Sequence, residues 1–161
     1  MQKLIINLLT SVLLLGLFSN CKKDCSSPQP DTGYFIFGHF YGMCFGETCV
    51  EIFKIENGAL YEDTTDNYPF GDAPYDGMYV PLSSAQYALI SDLMSHVPTQ
   101  LLSETDKIIG TPDAYDQGGY YFEIKESGNR KYWMIDSDNG NIPAYLHTFT
   151  DALNSYINRL Q

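Results

Sequence analysis

Asn57-Gly58, set between two runs of β-branched and aromatic residues, constrains this chain more tightly than any other dipeptide in it. A type I′ turn needs positive φ at both central residues, and Asn-Gly supplies it. Residues 49–56 and 59–63 are therefore expected to fold back on each other as antiparallel strands. Residues 34–41 (YFIFGHFY) are equally aromatic and β-branched, and read as a strand preceding them. Ser127-Gly128-Asn129 separates a second strand pair, 120–126 and 130–136. A helix is expected after each hairpin. In the first, Ser83 and Gln86 form a capping box with Leu82 and Tyr87 as its hydrophobic staple. Leu89, Leu93 and Val97, joined by Ile90 and Met94, give that helix an apolar stripe, and Pro98 ends it. In the second, Pro143 suits the first helical turn, and Leu146, Phe149, Leu153, Ile157 and Leu160 recur every three or four residues. Hairpin then helix, twice over, predicts an α+β fold: an antiparallel sheet built from two hairpin units, with two helices packed on one face.

The N-terminal stretch sets a different limit. After Lys3, Leu4 to Phe18 is apolar except at Asn7, Thr10, Ser11 and Gly16. At helical rise that core is about 23 Å long, short of the ~30 Å hydrocarbon layer, which suits a signal peptide better than a permanent span. Leu17-Phe18-Ser19-Asn20-Cys21 resembles a bacterial lipobox. With Asn20 where Gly or Ala is usual, it is similar to the looser lipoboxes of the Bacteroidetes. The resemblance implies that residues 1–20 are removed and that Cys21 is acylated. Bacterial lipoproteins of this type carry two or three acyl chains, enough for stable anchoring where one is not. Lys22-Lys23-Asp24 is similar to the surface-export tags of the same lipoproteins, and reads equally as a solvated start to a tether. Residues 25–33 (CSSPQPDTG) have the Ser, Pro and Gly content of a flexible linker. The expected organisation is a signal peptide over 1–20, a lipidated tether over 21–33 and a single α+β domain over 34–161. The expected location is the outer membrane, lipid-anchored, facing the periplasm or the cell surface.

About 140 residues beyond the signal suffice for one domain with its own core. The formal charge of −11 argues against nucleic acid, which calls for a basic face, and against anionic headgroups as an electrostatic partner. The membrane contact expected is the lipid itself. Beyond it, an envelope protein or a glycan is the partner class the chain suits.

If Cys21 carries lipid, Cys25, Cys44 and Cys49 remain. Outside the cytoplasm the nearby pair Cys44 and Cys49 reads first as a disulfide, closing a loop at the mouth of a strand. Cys25 is then free or paired between molecules. The alternative is a thiol-redox pair, but a reactive thiolate wants a helix N-terminus or a neighbouring cation, and the residues around Cys44 include Glu47 and no Lys or Arg. Gly42 to Ile55 (GMCFGETCVEIFKI), followed by a hairpin, is similar to small Bacteroidetes lipoprotein domains of uncharacterised function. Those begin on a Cys-x-Gly-x-Cys-Pro-x-Tyr-like strand and continue with a helix, a second hairpin and a C-terminal helix. Here the spacing is Cys44-x4-Cys49, with Val50 where Pro is frequent. The resemblance implies a fold and an envelope location, and brings no activity with it.

No reactive constellation stands out. The chain has no Gly-x-Ser-x-Gly elbow, no phosphate-cradling glycine loop and no His-Glu-x-x-His helix. His39 with Cys44 and Cys49 lacks zinc-ligand spacing. Residues 136–141 (DSDNGN) miss the EF-hand pattern, with Gly140 at its fifth position and Asn141 at its sixth, and read as a turn capped by Asx side chains. No catalytic residue, cofactor or metal ligand is assigned. The candidate binding residues are Tyr75, Asp113 and Asp116. Tyr68, Tyr75, Tyr79 and Tyr115 sit in Gly-, Pro- and Asp-rich loops, where amphipathic rings either make contact surfaces at small entropic cost or pack onto the sheet. Asp113 and Asp116 stand in the loop over 111–119 and are placed to gather a hard cation with backbone carbonyls.

Overall fold

Both expected hairpin turns form. The computed structural model describes residues 33–161, and in it Asn57 and Gly58 have φ of 54° and 72°, Ser127 and Gly128 of 49° and 82°. The first turn joins β2 (Val50–Glu56) to β3 (Ala59–Asp63); the second joins β6 (Gly119–Glu126) to β7 (Asn129–Asp136). β1 (Tyr34–Phe40) lies between the two hairpins, antiparallel to β2 on one side and to β6 on the other. The expected signal peptide over 1–20, the expected acylation site Cys21, and Cys25 lie outside the described residues.

The fold is α+β, and its sheet has seven strands in the order β4-β3-β2-β1-β6-β7-β5. Two short margin strands, absent from the sequence reading, complete it. β4 (Tyr79–Pro81) pairs antiparallel with β3, and β5 (Ile108–Ile109) pairs with β7 as the single parallel contact. Neither is long enough to show an alternating pattern, so neither was visible as a period of two.

The helices depart from expectation in length. The capping box at Ser83 and Gln86 forms as expected, but α1 spans only Ser84–Ala88. The chain then tightens: the amides of Leu89, Ile90 and Leu93 bond carbonyls three residues back, and residues 93–96 make a 3₁₀ turn. Ser91 and Ser95 turn their hydroxyls onto the carbonyls of Ala88 and Asp92, the local competition that makes serine a weak helix former. One continuous helix over 83–97 is thus replaced by short pieces, with α2 (Thr99–Ser103) following Pro98. Their apolar positions still reach the core, because Ile90, Leu93 and Leu101 are fully buried. The C-terminal helix, α3 (His147–Leu160), follows a 3₁₀ turn after Pro143 and is continuous.

The core has two halves, one on each face of the sheet. On one face, Phe149, Leu153 and Ile157 of α3 pack with Ile90, Leu93 and Leu101 against Phe37, Phe53, Phe122 and Trp133. Each such side chain contributes about 1.5–3 kcal/mol on leaving water. The opposite face, with Ile36, Phe40, Ile52, Tyr121 and Met134, is covered by residues of the long segment between β3 and β4, chiefly Tyr68 and Tyr75. That segment has no regular structure, so side chains hold it in place. Asp63 accepts hydrogen bonds from the Tyr75 hydroxyl (2.6 Å), the Met78 amide (2.6 Å) and the Thr65 hydroxyl (2.7 Å). The Tyr75 amide donates to the Tyr121 hydroxyl at 2.8 Å, and Arg130 donates to the Tyr75 carbonyl at 2.9 Å.

Three loops gathered on Asp113

At one end of β1 and β6, three loops meet on a single carboxylate. Asp113 Oδ2 accepts the Gly42 amide at 2.7 Å and the Tyr68 hydroxyl at 3.0 Å; Oδ1 accepts the Gly118 amide at 2.9 Å. Gly42 belongs to the loop after β1, Tyr68 to the segment over the second face, and Gly118 to the loop before β6. The sequence places these residues far apart, and the pairing of β1 with β6 brings them together.

Local conformation fits the task. Asp113 and Asp116 have φ of 60° and 58°, in the left-handed region that Asp tolerates better than most residues. The Asp113 amide bonds the Gly118 carbonyl at 3.0 Å, closing residues 113–118 on themselves. Gly118 has φ of 77°, and a side-chain carbon there would run into the Tyr41 ring. Burial pushes the Tyr68 phenol up to about 12, with the hydrogen bond to Asp113 acting in the same direction, so it remains a donor at any physiological pH.

Cys44 and Cys49 are joined, with Cα atoms 5.6 Å apart, and close the loop that Gly42 begins. Cys49 is buried at the foot of β2 and Cys44 is exposed. The Tyr41 amide bonds the Cys49 carbonyl at 2.9 Å, and His39 Nε2 lies 3.1 Å from the Thr48 carbonyl. Burial lowers the His39 pKa, partly offset by that hydrogen bond, which favours the neutral ring with the proton on Nε2. The loop is thus fixed by a covalent bond, a backbone bond and a buried histidine.

These loops present several large apolar side chains to solvent. Phe45 is 100% exposed, Tyr115 87%, Phe70 79% and Met43 75%. Single exposed apolar side chains are ordinary, but four of this size on three mutually tethered loops form a presented surface. Phe70 also touches the Tyr68 ring, with centroids 5.5 Å apart.

Of the residues singled out from sequence, Asp113 and Asp116 lie at this end, Asp113 as the tie and Asp116 on the exposed turn beside it. Tyr115 projects between them. Tyr75 is elsewhere, buried under its own loop with its hydroxyl on Asp63, where burial and that hydrogen bond raise its pKa. Residues 136–141 form the Asx-capped turn expected of them: Asp138 accepts the Gly140 amide at 2.8 Å. Asp136 itself is fully buried and receives bonds from Thr111, Gln117, Asp138 and Asn141. Among the described residues, no three His, Cys, Asp or Glu side chains are grouped so as to hold a metal ion. Sequence reading missed Met43, Phe45 and Phe70; the available signal was large apolar residues inside Gly- and Pro-punctuated loops, where no core position awaits them. The chain matches no protein-family model and no curated protein.

Proposed function

We propose that this protein is a non-catalytic binding domain of the bacterial cell envelope, held at the outer membrane by lipid on Cys21 and docking an envelope protein or a glycan through the loop end gathered on Asp113. The observation that carries the reading is the conjunction of rigid tethering with apolar exposure. Phe45, Met43, Phe70 and Tyr115 are held out on loops whose positions the Asp113 carboxylate and the Cys44–Cys49 bond fix in advance. Side chains ordered before binding lose less entropy on association, and aromatic residues supply large contact areas at two torsions each. The lipobox-like residues at Cys21 and the likeness of residues 42–55 to small Bacteroidetes lipoprotein domains support the location. The succession of two hairpin units, each followed by helical segments on one face, supports the same likeness. A thiol-redox role for Cys44 and Cys49 is the weaker reading, because the loop around them supplies no cation to stabilise a thiolate.

Two measurements test the reading separately. Metabolic labelling with a palmitate analogue is expected to mark the wild-type chain and to leave Cys21→Ala blank. A photocrosslinking residue at position 45, in cells, is expected to trap one discrete partner that Tyr115→Ser weakens. Equal crosslinking from an exposed position on α3 such as Asn158 would remove the loop end from consideration.

A further inference from the structure

We infer that the open margin of β7, beside Lys107, Arg130 and Lys131, accepts an acidic peptide segment in extended conformation as an added strand. β7 pairs with β6 along all eight of its residues, but its other side meets β5 only at Met134 and Ile135. On that outer side the Met134 amide donates to the Lys107 carbonyl at 2.7 Å. In an antiparallel pair, successive residues turn their N–H and C=O groups alternately toward and away from the partner strand, so Tyr132 and Arg130 share the outward direction of Met134. Among the described residues no backbone bond reaches them from residues 104–106, where the chain parts from β7. A cleft of about 260 Å³ opens between the two, lined by Glu104, Thr105 and Lys107 on one side and residues 130–133 on the other. An unpaired strand margin is a template for a further strand, and main-chain bonds supply its affinity.

Charge selects the occupant. The described residues contain six Lys and Arg, and three of them line this cleft in a chain of net charge −11. Arg130 is paired with Glu123, but Lys107 and Lys131 donate to uncharged oxygens, the Tyr132 hydroxyl at 2.9 Å and the Leu102 carbonyl at 2.8 Å. The carboxylate that lines the same cleft, Glu104, accepts the Tyr145 hydroxyl at 2.7 Å, so cations outnumber acids along it. A second copy presenting the same margin would set lysines against lysines, whereas an acidic segment meets complementary charge. Alternate side chains of an added strand point to opposite faces. Lys131 lies on the face covered by α3 and Lys107 over Tyr132 on the other, so adjacent acidic residues in the partner would each find a cation.

The test is a fluorescence titration of the purified full chain with a labelled eight-residue peptide of alternating Glu and Val. Two controls run beside it: the same peptide with Lys for Glu, and the acidic peptide N-methylated at alternate amides. Saturable binding is expected for the acidic peptide alone, at least tenfold weaker for either control, and weakened tenfold by Lys107→Glu with Lys131→Glu. Circular dichroism of that variant checks its fold, and slowed exchange of the Tyr132 amide in the wild-type complex reports the added strand directly. Phe45→Ser is expected to leave the titration unchanged, which separates this margin from the loop end. Equal binding of the N-methylated peptide, absence of saturation at millimolar concentration, or a dimer crosslinked through position 131 of both copies overturns the inference.

Discussion

Asp113 accepts the amide of Gly42 at 2.7 Å, joining the loop after the first strand to the loop before the sixth. A hydrogen bond to a charged acceptor is worth about 1.5–3 kcal/mol, less where solvent reaches it. Asp113→Asn keeps the size and the tolerance for positive φ but removes one of the two acceptor oxygens. It is expected to destabilise the domain by about 2 kcal/mol in urea denaturation, and to speed amide exchange at Gly42 or Gly118 while the core strands stay protected. Unchanged exchange at both glycines would mean that the disulfide and the strands alone position the loops.

On the face under the long loop, Glu123 is fully buried, with Arg130 Nε at 2.6 Å and the Tyr121 hydroxyl at 2.6 Å. Removing one partner of such a pair leaves a buried charge uncompensated, a loss of about 3–5 kcal/mol where both are fully buried. Arg130 is 36% exposed, which lowers the expectation to about 2–3 kcal/mol for Arg130→Met. The paired variant Glu123→Gln with Arg130→Met is expected to recover part of that loss, and a double-mutant cycle by chemical denaturation reads the coupling. Full additivity of the two changes would show that the hydroxyls of Tyr121 and of Tyr34, the latter at 3.1 Å, satisfy Glu123 alone.

Acid is expected to weaken the fold in two separate windows. Burial lowers the His39 pKa below that of the unfolded chain, so protons bind the unfolded state more readily. Its contribution is complete above about pH 6.5 and is lost as pH falls toward the folded value. At Asp136, burial acts to raise the pKa, but amides of Asp138 and Thr111 with the side chains of Asn141 and Gln117 outweigh it, and the carboxyl lies below its ordinary value. That contribution is present above about pH 3.9 and is lost as pH falls through the folded value. Melting temperatures from pH 7.5 to 3 are expected to fall in both windows. His39→Phe flattens the upper one and Asp136→Asn the lower. A curve unaltered by either substitution would place the acid sensitivity on other groups.

The hairpins were legible because their signals are local. Asn57-Gly58 favours positive φ by itself, Ser127-Gly128-Asn129 marks a turn by its composition, and Ser83 with Gln86 caps a helix start whatever the length of the helix beyond it. The length of that helix was not legible, since the stripe through Ile90 and Leu93 is satisfied equally by tight 3₁₀ turns that bury the same side chains. The role of Asp113 was out of reach for another reason. Its partners Gly42 and Tyr68 lie 71 and 45 residues away, and only the pairing of β1 with β6 makes them neighbours. Tyr75 shows the converse: a tyrosine in a Pro- and Gly-rich loop reads either as a contact residue or as packed onto the sheet, and here the loop folds over the sheet and takes the ring inside.

The Cys44–Cys49 bond separates a structural loop from a reactive one by measurement. Closing so short a loop restricts the unfolded chain by about 2 kcal/mol in the chain-entropy account. The double variant Cys44→Ala with Cys49→Ala retains the strand register from Val50 onward and the Tyr41 amide bond to position 49, both of which are backbone features. It is therefore expected to fold, with its urea midpoint lowered by an amount matching about 2 kcal/mol. Reduction of the wild-type chain is expected to lower the midpoint to the same extent. Crosslinking from position 45 is expected to weaken in the double variant, because Phe45 then samples more conformations before contact. An unchanged midpoint together with loss of a peroxide- or thiol-linked activity would overturn the structural role and return Cys44 and Cys49 to chemistry.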